Sequence, residues 1–243
     1  MKSIVVGGTA GLGRALATEL AKRGSDLILV GRDHDDLQRV AADVIARHGV
    51  HVQIVIADAA SPIDFGSQLA AALVGSPLDV AVLPLGVSVD SDGVRGDPAG
   101  AVELVTVNLL AVITASMAVA NVMRDNGRGV IVGFSSIAAT RGRARNAAYA
   151  AAKRGVESWF ESLRADLSGS GVEVTWYVLG YLDTNLSYGQ PLPLPVASVD
   201  HVASTVVNRI DRARGQQFAP TWWRFVATAI RRLPFSIFCR LKA

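Results

Sequence analysis

Tyr149 and Lys153 stand four residues apart in the run NAAYAAAKRG, residues 146–155. That spacing places a phenol and an ammonium on one face of a helix. The lysine stands out, because the chain has 20 arginines and only four lysines, Lys2, Lys22, Lys153 and Lys242. A free phenol titrates near pH ~10. A unit charge ~4 Å away, at an effective dielectric of ~20, is worth about 4 kcal/mol. That is roughly three pK units, enough to bring a phenol near 7. The expectation is an acid/base, Tyr149, tuned by Lys153 and able to give a proton to a carbonyl or take one from an alcohol. Lysine suits the task better than arginine, since a compact ammonium can also reach a sugar hydroxyl. Ser136 lies thirteen residues upstream, at the end of an apolar run. Its hydroxyl either hydrogen-bonds a substrate carbonyl or caps a turn. Asn108 falls inside an apolar stretch, where a buried amide needs a partner. It is either a structural polar group or the holder of a water in a proton relay.

The elements that must position these side chains alternate regularly. SIVVGG, DLILVGR, VHVQIVIAD, LDVAVLPLG, GVIVGFSS and VEVTWYVLG read as six strands. Between them LGRALATELAKRG, DDLQRVAADVIARHG, IDFGSQLAAALVG, residues 99–125 and residues 147–168 read as helices, several with a glycine stop. Strands written as continuous apolar runs need helices on both faces. The predicted fold is a single-domain α/β, doubly wound parallel sheet (Rossmann-like) over residues 1–243, ending in a basic aromatic tail, 219–243. Tyr149 and Ser136 then both emerge at the carboxyl edge of the sheet, where open α/β folds bind ligands. The segment GQPLPLPVASVD, residues 189–200, reads as a lid, a binding loop or a plain surface connection.

VVGGTAGLGRA places Gly7, Gly11, Leu12 and Gly13 between the first strand and the first helix. Such a turn lets backbone approach a pyrophosphate, and the helix N-terminus adds N–H donors and partial positive charge. An acid at the end of the second strand would bind a ribose 2′-hydroxyl. Here Gly31 removes the carboxylate and Arg32 offers a fork of donors to a 2′-phosphate. The expectation is NADPH in preference to NADH, with NAD possible. Asp58, ending the third strand, is placed at the adenine side.

Together these residues resemble the short-chain dehydrogenase/reductase family over nearly the whole chain. Gly7, Gly11 and Gly13, Arg32, Asp58, VNLLAV around Asn108, FSSIA with Ser136, and Tyr149-x-x-x-Lys153 fall in the family's order. The resemblance implies an NAD(P)-dependent oxidoreductase, usually dimeric or tetrameric. It implies Tyr149 as acid/base, Lys153 lowering its pKa and holding the nicotinamide ribose, Ser136 orienting the carbonyl, and Asn108 completing a water relay. Gly86 and Thr184 fall where the family contacts the coenzyme. Three segments depart from the family: Val6 replaces a threonine, Leu83-Pro84-Leu85-Gly86 replaces NNAG, and Leu179-Gly180 replaces PG.

Composition narrows the setting. Half the residues are hydrophobic and 19% are charged, enough for a sizeable core. One cysteine, Cys239, fits a reducing cytosol, and MKSIVVGG lacks a signal-peptide layout. No metal site and no nucleic-acid footprint is expected in the body. Residues 104–123 are long enough to span a bilayer, but their place in the alternation argues for a buried helix. The tail holds Arg224, Arg231, Arg232, Arg240 and Lys242 without an acid, and Trp222, Trp223, Phe225, Phe235 and Phe238 among them. Interleaved aromatics and arginines suit peripheral contact with anionic lipid at the inner face of a membrane, or else closure of a pocket or subunit interface. The tail, LDVAVLPLG and RGRARNAAYAAAKRG also resemble a narrower group of the family, the actinobacterial decaprenylphosphoryl-2-keto-ribose reductases. That resemblance implies a lipid-linked keto-sugar as substrate and a flavin oxidase as partner, with Arg141, Arg143 and Arg145 placed to face a lipid phosphate. Reduction of another lipophilic ketone, steroid or 3-oxoacyl, and a catalytically silent nucleotide-binding protein are the alternatives. Apolar helices at 99–125 and 148–168 point to a homodimer or homotetramer.

Overall fold

In the computed structural model, which describes residues 1–89, 92–184 and 194–240, seven parallel strands form one sheet in the order β3-β2-β1-β4-β5-β6-β7. They are β1 (Lys2–Val6), β2 (Asp26–Gly31), β3 (Val52–Ile56), β4 (Val80–Leu83), β5 (Gly129–Ser136), β6 (Val172–Leu179) and β7 (Gly215–Ala219). The order turns back between β1 and β4, so a crevice opens there at the carboxyl ends of the strands.

Helices cover both faces, as the all-apolar central strands require. On one face α1 (Gly11–Lys22), α2 (His34–His48) and α7 (Val199–Asn208) pack over Val5, Leu29, Val82 and Val132. On the other, α3 (Pro62–Ala72), α5 (Ala111–Asn126) and α6 (Ala147–Asp166) pack over Ile4, Val30, Ala81 and Ile131. The sequence reads six strands, and the structure adds the edge strand β7 and helix α7 before it. GQQFA, with adjacent glutamines, has neither alternation nor a continuous apolar run, so its pairing comes from β6 alone. The long helix expected at 99–125 is present over Pro98–Asn126, with a π turn inside it. It is α4 (Pro98–Val105), a π turn at Thr106–Leu110, and then α5. Its apolar length is explained by burial: Leu104, Ala111, Val112, Ala115, Val119 and Met123 lie in the core. Of the proline-rich segment 189–200, residues 189–193 lie outside the described residues.

The tail is folded onto the body as α8 (Trp223–Arg232) and α9 (Phe235–Phe238). Trp223, only 1% exposed, packs in a small cluster with Ile137 and Ala227, edge-on to Tyr181 at 5.0 Å. Its indole fills the space above Gly180, where a Cβ would come within 1.8 Å of Nε1. Glycine at 180 is therefore a packing requirement.

Helix α6, which carries Tyr149 and Lys153, is seated on β5 by one close fit. The Phe160 ring lies over Gly133, so that a Cβ there would be 2.1 Å from Cε2. Phe160 is fully buried and has no room to retreat. Gly133→Ala is expected to cost about 1–3 kcal/mol through overpacking, read as a lower urea midpoint at unchanged slope. An unchanged midpoint would mean that α6 is free to shift on the sheet.

Candidate active site

Strand ends and helix starts bring the predicted residues to one edge. Ser136 is the last residue of β5 and accepts a hydrogen bond from Ala138 N at 3.2 Å, capping a 3-10 turn, Ile137–Thr140. It also interacts with the Tyr149 phenol, pulling that group's pKa down against the larger upward push of burial. The capping reading of Ser136 is thus met, with its hydroxyl on the Tyr149 side of the turn. Lys153, 3% exposed, extends one helical turn below Tyr149, and its Nζ donates to Leu85 O at 2.9 Å and Phe134 O at 3.4 Å. It ties the ends of β4 and β5 to α6.

The expected tuning of Tyr149 by Lys153 is not what the structure has. Nζ lies 5.8 Å from the centre of the phenol ring. Burial pushes the Tyr149 pKa above its ordinary value, and the interaction with Ser136 opposes this only in part. The same burial lowers Lys153 to about 8. A full charge ~4 Å away in a polarizable medium would lower the phenol pKa, whereas the pair shares a pocket that disfavours both ions.

Asn108 is buried at the π turn and uses both ends of its amide on one residue. Nδ2 donates to Val87 O at 3.0 Å and Oδ1 accepts from Val87 N at 3.3 Å. A Cβ on Gly86 would lie 3.2 Å from that Oδ1 and 3.5 Å from Lys153 Nζ. Gly86, Asn108 and Lys153 therefore meet at one point. The segment that replaces NNAG is held by these bonds and by packing, with the Leu85 side chain 3.4 Å from where a Gly7 Cβ would be.

The glycine turn has the shape its sequence demands. Gly7 (φ +96°) and Gly11 (φ +48°) take left-handed conformations. A Cβ on Gly13 would fall 1.9 Å from Gly7 O. In place of the family's threonine, Val6 is core, and the turn is braced by Gly7 N and Gly8 N donating to Val30 O at 2.9 and 3.2 Å. Ala10 offers α1 no side-chain cap, and no acid occupies its first turn. Those free N–H groups fit a phosphate. The Leu12 side chain is buried with the core, leaving its backbone to the loop. Thr184 crosses the turn, its methyl 3.5 Å from where a Gly11 Cβ would be. Arg32 is exposed just beyond β2, its guanidinium without an ion pair or hydrogen bond among the described residues. Asp58 follows β3, exposed, with Oδ1 accepting from Ala60 N at 2.9 Å. These features fit a dinucleotide with a phosphorylated ribose.

Arg141 goes elsewhere than expected. Its guanidinium donates to Ile230 O and Leu233 O and stacks on Phe238 at 4.2 Å, so it holds the end of α8. Two further side chains lacked any local signal. Asp92 accepts from Ala148 N at 3.0 Å and Tyr149 N at 3.1 Å. It caps α6 from the β4–α4 connection, while Asn146 at the N-cap position makes no capping bond. Arg154 donates to Ala139 O and Thr140 O, fixing the turn after Ser136. Both partners are distant in sequence, and an acid before glycine reads as an ordinary turn.

The Lys153 pKa sets a sign for stability. The folded state sheds this proton near pH 8, and the unfolded chain keeps it to about 10.5. Between these values the unfolded state binds more protons, so Lys153 makes stability rise with pH. From pH 8 to 10 the gain is expected to be about 2 kcal/mol, as the difference in urea unfolding between the natural protein and Lys153→Met. A difference that stays flat or falls would place the lysine in a more polar setting.

Comparison with known proteins follows the same lines. A family model described as short chain dehydrogenase matches residues 2–191. An uncharacterized oxidoreductase of Myxococcus xanthus is 32% identical over 210 residues, covering 85% of this chain and 82% of its own. One of Mycobacterium tuberculosis is 30% identical over 241 residues, covering 98% and 96%. Among solved structures, a short-chain dehydrogenase from Sphingobium yanoikuyae in complex with NADPH superposes with a TM-score of 0.82 at 26% identity, covering 100% of this chain and 98% of its own. With the sheet order, the glycine turn and the Ser136–Tyr149–Lys153 grouping in place, the chain belongs to the short-chain dehydrogenases, a family of NAD(P)-dependent oxidoreductases.

Proposed function

We propose that this protein is an NADPH-dependent ketoreductase of a lipophilic ketone, in the first instance the 2-keto group of a polyprenylphosphoryl pentose. The carrying observation is the Tyr149 phenol: kept protonated by burial, beside Ser136, and one helical turn from a lysine poised at about 8. A phenol that holds its proton at neutral pH suits the reductive direction, in which a carbonyl oxygen must be protonated.

NADPH, when bound, supplies the hydride that reduces the carbonyl carbon to an alcohol. Ser136 orients the carbonyl oxygen, and Tyr149 gives that oxygen its phenolic proton. Charge develops on the phenolate as the proton leaves, and Lys153 offsets it. Having a pKa of about 8, Lys153 also returns a proton towards Tyr149 at neutral pH. Asn108 keeps the Gly86–Val87 wall in place beside Lys153 and serves a water relay there. The glycine turn and the α1 N-terminus take the pyrophosphate, Asp58 the adenine side, Thr184 the nicotinamide end and Arg32 the 2′-phosphate. The NADPH complex of the related short-chain dehydrogenase supports this choice of coenzyme.

The lipophilic substrate is supported by the wall next to Ser136. Ile137 and Trp223 are joined there by Tyr181, Leu194, Phe218 and Trp222. A flavin oxidase acting on the corresponding alcohol supplies the ketone, and the protein works as a homodimer or homotetramer.

Tyr149→Phe is expected to lower turnover on the order of 100- to 10,000-fold while the dissociation constant for NADPH stays unchanged. The assay follows NADPH absorbance with decaprenylphosphoryl-2-keto-ribose formed in place by a flavin oxidase. Turnover that survives the substitution removes Tyr149 as the acid. Arg32→Ala is expected to weaken NADPH by roughly 10- to 100-fold and leave NADH nearly unaffected, read by fluorescence titration. Equal effects on the two coenzymes would take the 2′-phosphate away from Arg32.

A further inference from the structure

We propose that the outward face of α8 and α9 docks on an anionic phospholipid bilayer. The fold divides the tail's aromatic residues into two sets. Trp223 is core, Trp222 stacks on it at 4.6 Å, and Phe238 lies beneath Arg141. Phe225 and Phe235 point the other way, 63% and 74% exposed, with Ile237 at 49%. Along α8 the buried residues Trp223 and Ala227 follow helical spacing, with Val226 and Ile230 packed at their side. The opposite side carries Phe225 and Arg232, with Arg224 stacked on Phe225 at 4.5 Å.

Charge selects the occupant. From Arg212 to the end the chain contains no Asp or Glu. Arg224, Arg232 and Arg240 are exposed, with no acidic partner among the described residues, whereas Arg231 is drawn towards Glu157. A second copy on this face would set arginines against arginines across a two-fold axis, which is repulsive. Exposed rings flanked by guanidiniums match the boundary of an anionic bilayer, where rings insert and arginines meet phosphates.

The surface is also fixed relative to the reacting edge. Trp223 fills the space over Gly180, Ile137 follows Ser136 directly, and Arg141 holds the last carbonyls of α8. A docked protein would reach a ketone on a lipid head group while the chain of that lipid stays in the bilayer. This use of the surface rests on the proposed reductase reading; bilayer contact itself does not.

The test is co-sedimentation with vesicles of equimolar phosphatidylglycerol and phosphatidylcholine, against phosphatidylcholine alone, at low salt. The full chain is expected to pellet only with the anionic vesicles. Replacing Arg224, Arg232 and Arg240 together by Gln should reduce partitioning on the order of 100-fold. Phe225→Ser with Phe235→Ser should reduce it roughly tenfold. All five side chains are exposed, so circular dichroism and NADPH binding should be unchanged. Tyr149→Phe should pellet like the natural protein, which separates docking from catalysis. The proposal is overturned if the natural protein stays in the supernatant, or if the substituted forms pellet equally well. It is also overturned if the substitutions convert a dimer to a monomer on size exclusion without any vesicle binding, which assigns the face to a second copy.

Discussion

One ammonium organises the reacting edge. Lys153 places a charge where water is excluded, and such a charge persists only if polar groups surround it. Those groups are the carbonyls of Leu85 and Phe134, from the ends of two neighbouring strands. Meeting them requires α6 to lie at a set height on the sheet, β4 to end in a particular extended segment, and that segment to be held. The Phe160 seat, the Asn108 clamp and the π turn that aims Asn108 inward each meet one of these needs. The energetic consequence is mutual. Desolvation weakens the lysine's hold on its proton, and the same apolar surroundings keep the tyrosine neutral.

Much of this edge was legible in the sequence. Apolar runs alternating with capped helices imply a doubly wound sheet, and the glycine turn and Tyr-x-x-x-Lys spacing are local patterns. What stayed hidden depends on partners far apart in the chain. Asp92 sits beside a glycine in what reads as a turn, yet its partners are 56 and 57 residues away. The π turn adds a residue to a helix whose apolar pattern continues across it. Strand β7 has little β-propensity of its own and forms because β6 offers an unpaired edge. The direction of the Tyr149 shift is not legible because spacing along a helix fixes which residues are neighbours and leaves their solvation open.

The tail shows the same division. Its composition marks it as basic and aromatic, but composition cannot sort rings into inner and outer sets. Trp223 is recruited inward because Gly180 leaves a hollow at the carboxyl end of β6. Arg141, in a loop rich in arginine, finds the unpaired carbonyls at the end of α8, which a helix terminus always leaves. The cluster beside Ser136 is thereby built from distant parts of the chain.

The Asp92 carboxylate has a consequence for redesign. The connection between β4 and α4 flanks the crevice and is the natural target for anyone wishing to change which ketone is accepted. It is also the cap of the helix bearing Tyr149, and Val94 N adds a bond of 3.0 Å to Ala144 O beside it. This loop is therefore not an exchangeable cassette. A graft from a relative must bring an acceptor to the same two amides, or it will disturb the helix that bears Tyr149 and Lys153.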